Sequence, residues 1–336
     1  MSIIRNLIVI GASAGGIKAI LKIIEGLPQR IDAAIMIVLH LSRKSSADNI
    51  VEIFQRHTEL QCVASIDKME IEKGKIYLAQ PEHHLLVSGD VIRLNQGPEE
   101  NKYRPSIDVL FRSAAVHFGN RVIGIVLTGM LQDGTSGMYA IKSCGGLCIV
   151  QDPSEAEYSD MPNSVLKAID VDYMSDLEGI PILIQEILNT PLAPGIAIPN
   201  ELKIEADITE KLMSEINDLK KIAHRSDFAC PDCGGGLWEV KNDPTHRYRC
   251  FTGHVYTEKL LADLQDMKIE DSIWVSIRML EEKRNMLRLL TGRKTDDSAA
   301  AASLQKRIEE MGEHILRLKS LVVKLSNNAA EDAKSA

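Results

Sequence analysis

Aromatic residues make up only 4% of this 336-residue chain, and two of them are tryptophans. Long apolar runs are missing too. The stretch 33–39 is among the longest, far short of the roughly 20 residues that cross a bilayer, so membrane insertion is excluded. The N-terminus carries no separate apolar core with a small-residue cleavage site, and a cytoplasmic location is the expectation. Basic residues are in deficit, 39 Lys and Arg against 47 Asp and Glu, for a net charge of −8. That balance argues against a general nucleic-acid binder. What is present is ordinary soluble-protein material, 45% hydrophobic and long enough for two or three domains.

Over residues 3–190 short apolar runs alternate with helical patterns. Strands are predicted at 3–10, 33–39, 62–66, 121–128 and 146–150, and helices at 17–25, 46–57, 107–118, 136–142 and 163–169. Continuous apolar strands separated by helices predict an α/β fold, a doubly wound and mostly parallel sheet covered on both faces. Runs at 75–79, 85–88 and 91–94, around Gly89-Asp90, read as a β-hairpin addition. Domains are therefore expected at 1–190, then a Pro-rich linker at 191–200, a helix and cysteine-rich module at 201–257, a helical hairpin or coiled coil at 258–326, and a disordered tail at 327–336. The helical stripe Leu304, Ile308, Met311, Ile315, Leu318, Val322 and Leu325 suits packing within its own domain or self-association through the C-terminal helices.

Of six cysteines, Cys62, Cys144 and Cys148 sit in apolar or Gly-rich surroundings and read as buried thiols. The other three form Cys230-Pro-Asp-Cys233 and Cys250-Phe-Thr-Gly-His254, a C-x₂-C and a C-x₃-H pair sixteen residues apart. Three thiolates and an imidazole satisfy a tetrahedral, structural Zn²⁺ in a zinc-ribbon-like module. His246 is the substitute ligand should His254 point away. Lys241, His246, Arg247 and Arg249 interleave with Trp238 and Tyr248, but the patch is small on an acidic chain, which favours protein recognition over nucleic acid.

Residues 11–16, Gly-Ala-Ser-Ala-Gly-Gly, directly follow the apolar run Leu7-Ile8-Val9-Ile10. G-x-S-x-G between a strand and a helix is the spacing of a nucleophile elbow, which lifts the Ser13 hydroxyl clear of the strand end. The competing reading, a phosphate-cradling turn, lacks both G-x-G-x-x-G and a Gly-Lys-Ser/Thr triplet. A serine nucleophile needs a base and an orienting group. His40 ends the second predicted strand, and Asp133 lies just past the strand 121–128. In a parallel sheet the carboxyl ends of strands share one edge, so Ser13, His40 and Asp133 should converge there. A structural His40 and an Asp133 that merely N-caps the next helix stay open as alternatives. Arg104, Ser106 and Asp108 read as a helix start at Pro105 with a solvated arginine, and His84 receives no chemical role.

Gly11–Gly16, His40 after its strand, Tyr103-Arg-Pro-Ser-Ile-Asp-Val-Leu-Phe111 and Leu127-Thr-Gly-Met-Leu-Gln-Asp-Gly134 together resemble the catalytic domain of CheB-type chemotaxis receptor methylesterases. Tyr77-Leu-Ala-Gln-Pro-Glu-His-His84 and Met161-Pro162 extend the resemblance, which covers about residues 1–190. It implies demethylation of glutamate methyl esters, and deamidation of glutamines, on a methyl-accepting chemoreceptor through an acyl-enzyme. Ser13 would be nucleophile, His40 base, Asp133 its orienter, and the N–H groups of Ala14 and Met130 an oxyanion hole; catalysis would need no cofactor. The chain departs from the family at Ala14, at Leu41-Ser-Arg-Lys44 and at Gln80. With the nucleophile at position 13, a preceding receiver domain is not expected. A catalytically silent signalling adaptor, binding partners through the cysteine module and C-terminal helices, is the alternative.

Overall fold

In a computed structural model, residues 6–192, 194–212, 215–293 and 298–335 are described. Strand β1 (Leu7–Ala12) is buried at all six positions, and its side chains alternate between two apolar clusters. Leu7 and Val9 face one, Ile8 and Ile10 the other, as a strand covered on both faces requires. Six more strands complete a seven-stranded sheet: β2 (Ala34–Leu39), β3 (Gln61–Ala64), β4 (Lys75–Leu78), β7 (Val122–Val126), β8 (Leu147–Gln151) and β9 (Tyr173–Ser175). Its order is β3-β4-β2-β1-β7-β8-β9 and every pairing is parallel. Helices α1 (Gly16–Gly26), α2 (Ala47–Gln55) and α6 (Gly179–Asn189) cover one face through Ile20, Ile23, Phe54 and Ile184. Helices α3 (Ile107–Phe118), α4 (Thr135–Ser143) and α5 (Asp160–Ala168) cover the other through Phe111, Ile141 and Val165.

The β-hairpin forms at β5 (His84–Ser88) and β6 (Val91–Asn95), antiparallel around Gly89-Asp90. The run 75–79, grouped with it in the sequence, belongs instead to the main sheet as β4, between β3 and β2. Its parallel pairing with both neighbours, Ile76 with Ile35 and with Cys62, is what fixes it there. Strand β9, too short to announce itself, was also not expected. The first predicted strand begins at residue 3, and residues 3–5 lie outside the described residues.

Beyond residue 190 the chain stays on this body. Ile198 and Leu202 pack against the α3-side cluster, and α7 (Asn200–Lys211) lies along α3. Helix α8 (Ile216–Ile222) leads into a four-stranded antiparallel sheet, β10 (Ala223–Ala229), β11 (Gly236–Val240), β12 (Arg247–Cys250) and β13 (Val255–Thr257). Residues up to Glu258 form one compact unit, so packing crosses the boundary expected near 190. The second unit, from Lys259, holds most of α9 (Glu258–Arg293) and all of α10 (Ser298–Ser335). Ile277, Ile315 and Val322 form its seam, using part of the sequence stripe. Between the two helices, residues 294–297 lie outside the described residues. The tail expected at 327–336 is helical to Ser335, in keeping with its alanines. Among the described residues no helix is long and apolar enough to cross a membrane.

Candidate active site

The central strand β1 is flanked by β2 on one side and β7 on the other, because the chain reverses its direction of sheet growth there. Ser13 follows β1, His40 follows β2, and Asp133 lies seven residues past β7, so all three leave the carboxyl edge at the topological switch point. Main-chain bonds tie these ends together: Ser13 N–H donates to Thr128 O at 3.0 Å and His40 N–H to Ala12 O at 3.0 Å. Gly15 takes φ +76°, a left-handed turn that opens α1. Gly129 is required by proximity. A Cβ there would lie 2.1 Å from Met161 Sδ and 2.8 Å from Ser13 Cβ.

His40 Nε2 and Asp133 Oδ2 are 3.0 Å apart, with both side chains buried. The other ring nitrogen, Nδ1, is buried without a hydrogen-bond partner among the described residues. The imidazole stacks on Tyr103, centroids 3.6 Å apart and planes within 7°. Burial and the Asp133 charge push the Tyr103 phenol up, while a hydrogen bond with Ser13 pulls the other way. Tyr103 thus touches both the hydroxyl and the imidazole.

Asp133 does not cap the helix that follows it. It sits against the N-terminus of α3, accepting from Ile107 N–H at 2.7 Å, Ser106 Oγ at 2.9 Å and Asn101 Nδ2 at 3.1 Å. Burial alone would raise its carboxyl, but His40 and these donors outweigh burial and hold it below the usual value. The anion therefore faces the positive end of a helix dipole and His40 at once. At neighbouring Asp108, burial and the Asp133 charge prevail over the Gly137 N–H and push the carboxyl well above the usual value.

Ser106 and Asp108 do more than start a helix. Ser106 donates to Asp133, and Asp108 accepts from Asn101 Nδ2 at 2.8 Å and from Gly134 and Gly137 N–H. Arg104 is not solvated but paired with Glu82 at 2.9 Å. His84 has a role after all. Its Nε2 lies 2.9 Å from Pro98 O and its Nδ1 accepts from Ser106 N–H, which makes it a buried neutral strut under the segment that precedes α3. Asn101 was missed, and Tyr103 was read only as part of the motif that carries the resemblance, without a role of its own. Asn101 sits at φ +53°, a conformation asparagine tolerates better than most residues, and that was its only sequence signal. Ala14 and Met130 flank the serine turn and the loop after β7, and Met130 is exposed.

In the module, the ligand atoms of Cys230, Cys233, Cys250 and His254 lie within 4.8 Å of one another. His254, not His246, is the histidine of this cluster; His246 is exposed beside Glu239. Zn–S bonds of about 2.3 Å and Zn–N of about 2.1 Å in a tetrahedron separate two sulfurs by about 3.8 Å and sulfur from nitrogen by about 3.6 Å. Cys233 Sγ and Cys250 Sγ are 3.8 Å apart, and His254 Nδ1 is 3.5 Å from Cys250 Sγ and 3.7 Å from Cys230 Sγ. The four residues could hold a metal ion. Cys62, Cys144 and Cys148 are buried, with thiols pushed up by burial to about 11, 11 and 12. Arg247 and Arg249 are buried, so two of the four basic residues of the patch read from the sequence are turned away from solvent.

A doubly wound parallel sheet with serine, histidine and aspartate gathered at its switch point has the architecture of an α/β acyl-transfer enzyme. Residues 8–184 match the family described as CheB methylesterase, and the chain belongs to that family. A Leptospira interrogans protein is 40% identical over 174 residues, covering 52% of this chain and 90% of that protein. Proteins named protein-glutamate methylesterase/protein-glutamine glutaminase from Hydrogenovibrio crunogenus and Pyrococcus abyssi are 35% and 34% identical. The matches span 53% of this chain in each case, and only 48% and 49% of those two proteins, about half their length. The crystal structure of the Thermotoga maritima CheB methylesterase catalytic domain matches with a TM-score of 0.53 and 28% identity, over 54% of this chain and 98% of that one.

Proposed function

We propose that this chain is a protein-glutamate methylesterase and protein-glutamine glutaminase whose substrate is a methyl-accepting chemoreceptor or related signalling protein. One observation carries the assignment: His40 has one nitrogen on Asp133 and the other buried without a hydrogen-bond partner among the described residues, at the same sheet edge that Ser13 leaves. In this reading Ser13 Oγ attacks the ester carbonyl and passes its proton to His40 Nδ1. The proton then goes to the leaving methoxide oxygen, which departs as methanol, or to the amide nitrogen, which departs as ammonia, and a glutamyl ester remains on Ser13. Water, deprotonated by the same nitrogen, attacks this ester, and the proton passes back to Ser13 Oγ as glutamate is released. Asp133 stays ionised throughout and orients the ring, in keeping with its depressed carboxyl. The Ala14 and Met130 N–H groups would receive the oxyanion, a donor of this kind contributing about 3 kcal/mol.

Cys230, Cys233, Cys250 and His254 are proposed to bind Zn²⁺. Four protein ligands leave no open position, so the ion would cross-link the module. The deciding experiment is methanol release from methylated chemoreceptor by wild type and Ser13→Ala. Release by the wild type and none by the variant is expected. A Ser13→Ala protein as fast as wild type would remove the nucleophile, and a wild type that neither releases methanol nor reacts with a serine-directed probe would be the silent adaptor.

A further inference from the structure

Four consecutive residues bridge the cysteine module and the catalytic groups, each touching both sides or completing the path between them. Glu100 accepts from Arg249 of β12 at 3.1 Å and from Arg112 of α3 at 2.8 Å. Asn101 donates its N–H to Val255 O at 2.8 Å, next in sequence to the candidate ligand His254, while its side chain donates to Asp133. Lys102 pairs at 2.8 Å with Asp232, which lies between Cys230 and Cys233. Asp232 also accepts from Tyr256 Oη, itself 3.1 Å from Cys230 Sγ. Tyr103 then lies flat on His40. Asn101 and Lys102 both take left-handed backbone angles, φ +53° and +67°. Such angles persist in non-glycine residues when surrounding contacts impose them. Here the contacts on one side come from the module.

We propose that residues 99–104 are a positioning strap for the serine site, with Asn101 and Tyr103 as its positioning residues. The metal-loaded Cys230/Cys233/Cys250/His254 module grips that strap and thereby sets the turnover rate. The inference rests on the methylesterase reading for its kinetic arm only. Cross-linking His254 to the cysteines fixes Val255 and Tyr256, these fix Asn101 and Lys102, and the strap fixes Asp133 and His40. Loss of the metal would release the chain of contacts from its far end. The catalytic side chains would remain, but displaced by a fraction of an ångström to an ångström, enough to slow chemistry without removing substrate affinity.

The full-length protein, loaded with Zn²⁺ and then stripped by a chelator with metal content measured, tests this. The kcat for ester hydrolysis should fall at least about tenfold while KM stays within about threefold. Amide hydrogen exchange over 99–104 should speed up, exchange over Leu7–Ala12 should not, and Zn²⁺ alone should restore both. Metal-free protein with unchanged kcat and unchanged exchange at 99–104 would overturn the proposal. Should stripping deprotect Leu7–Ala12 as well, Asn101→Gly decides. It keeps the left-handed backbone and the bond to Val255 but loses the amide that donates to Asp133 and Asp108. Its kcat should drop about tenfold with KM held and Leu7–Ala12 still protected, and a wild-type kcat would sink the strap. Exchange needs no activity. Metal-dependent protection of 99–104 in a chain that hydrolyses no ester would discard the esterase reading and keep the strap.

Discussion

Opposite materials hold the two sides of the candidate site. On the sheet side, β1, β2 and β7 are buried apolar strands, and Ser13 and His40 are placed by their ends. On the module side there is a buried cluster of charge. Arg112, Arg247 and Arg249 meet Glu100, Glu205 and Asp243, with side chains at most 4% exposed. Glu205 of α7 holds Arg247 through two oxygens at 2.9 and 3.1 Å, and Ser136 of α4 reaches across to Asp243 at 2.6 Å. Apolar burial is non-directional and tolerates small shifts. A paired, desolvated cluster does not, because one missing partner leaves a buried charge. The sheet therefore supplies stability, and the charged interface supplies one particular seating of the module on the strap.

Ser13→Ala strikes neither material and should have the largest consequence, a fall in kcat of about 10⁴-fold or more with the fold and both interfaces intact. A pair of substitutions separates the two sides. Glu205→Ala leaves three arginines short of an acceptor and should cost about 3–5 kcal/mol by denaturant unfolding. Ile23→Ala, under the opposite face of the sheet, should cost about 2–5 kcal/mol through the cavity it leaves. Similar losses of stability should part in kinetics: Glu205→Ala lowers kcat, because it unseats the module, and Ile23→Ala does not. Equal kcat in the two variants would erase the distinction between the sides.

The same contrast explains what could be read in advance. Strands β1, β2 and β7 are visible as apolar runs because their order is local, and the Gly-x-Ser-x-Gly turn follows from one of them. Placing Ser13, His40 and Asp133 on one edge needs only the rule that parallel strands end together. The ligand spacing of the cysteine module is equally local. The interface is not: Arg249 and Glu100 are 149 residues apart, and Arg247 and Glu205 are 42 apart. Charge carries no periodicity that points to a distant partner, so Arg247 and Arg249 look like a surface patch until the fold turns them inward. Strand β4 was misassigned for a related reason. Ile76, Tyr77 and Leu78 show burial only once β3 and β2 enclose them.

The smallest effect concerns pH. Glu100, Glu205 and Asp243 are held below their usual values by the arginines around them, against the cost of burial. Their stabilisation is complete above the unfolded carboxyl range of about 4 and is lost only as pH falls below it. Between pH 7 and 5 the charged interface is silent. His84 is different, because burial, opposed by the Glu100 charge, lowers its pKa. The unfolded chain then takes up the proton first, near pH 6.5, so the contribution of His84 is present above that value and declines as pH falls through it, by at most about 1.4 kcal/mol per unit. Asp108, with a raised carboxyl, works in the opposite sense, so total stability is a poor readout. The difference between wild type and His84→Gln isolates the strut. His84→Gln should be clearly less stable than wild type at pH 7, and the gap should narrow by pH 5. A gap that stays constant from pH 7 to 5, measured by denaturant unfolding in the same buffer, would mean that His84 is not held neutral beneath the strap.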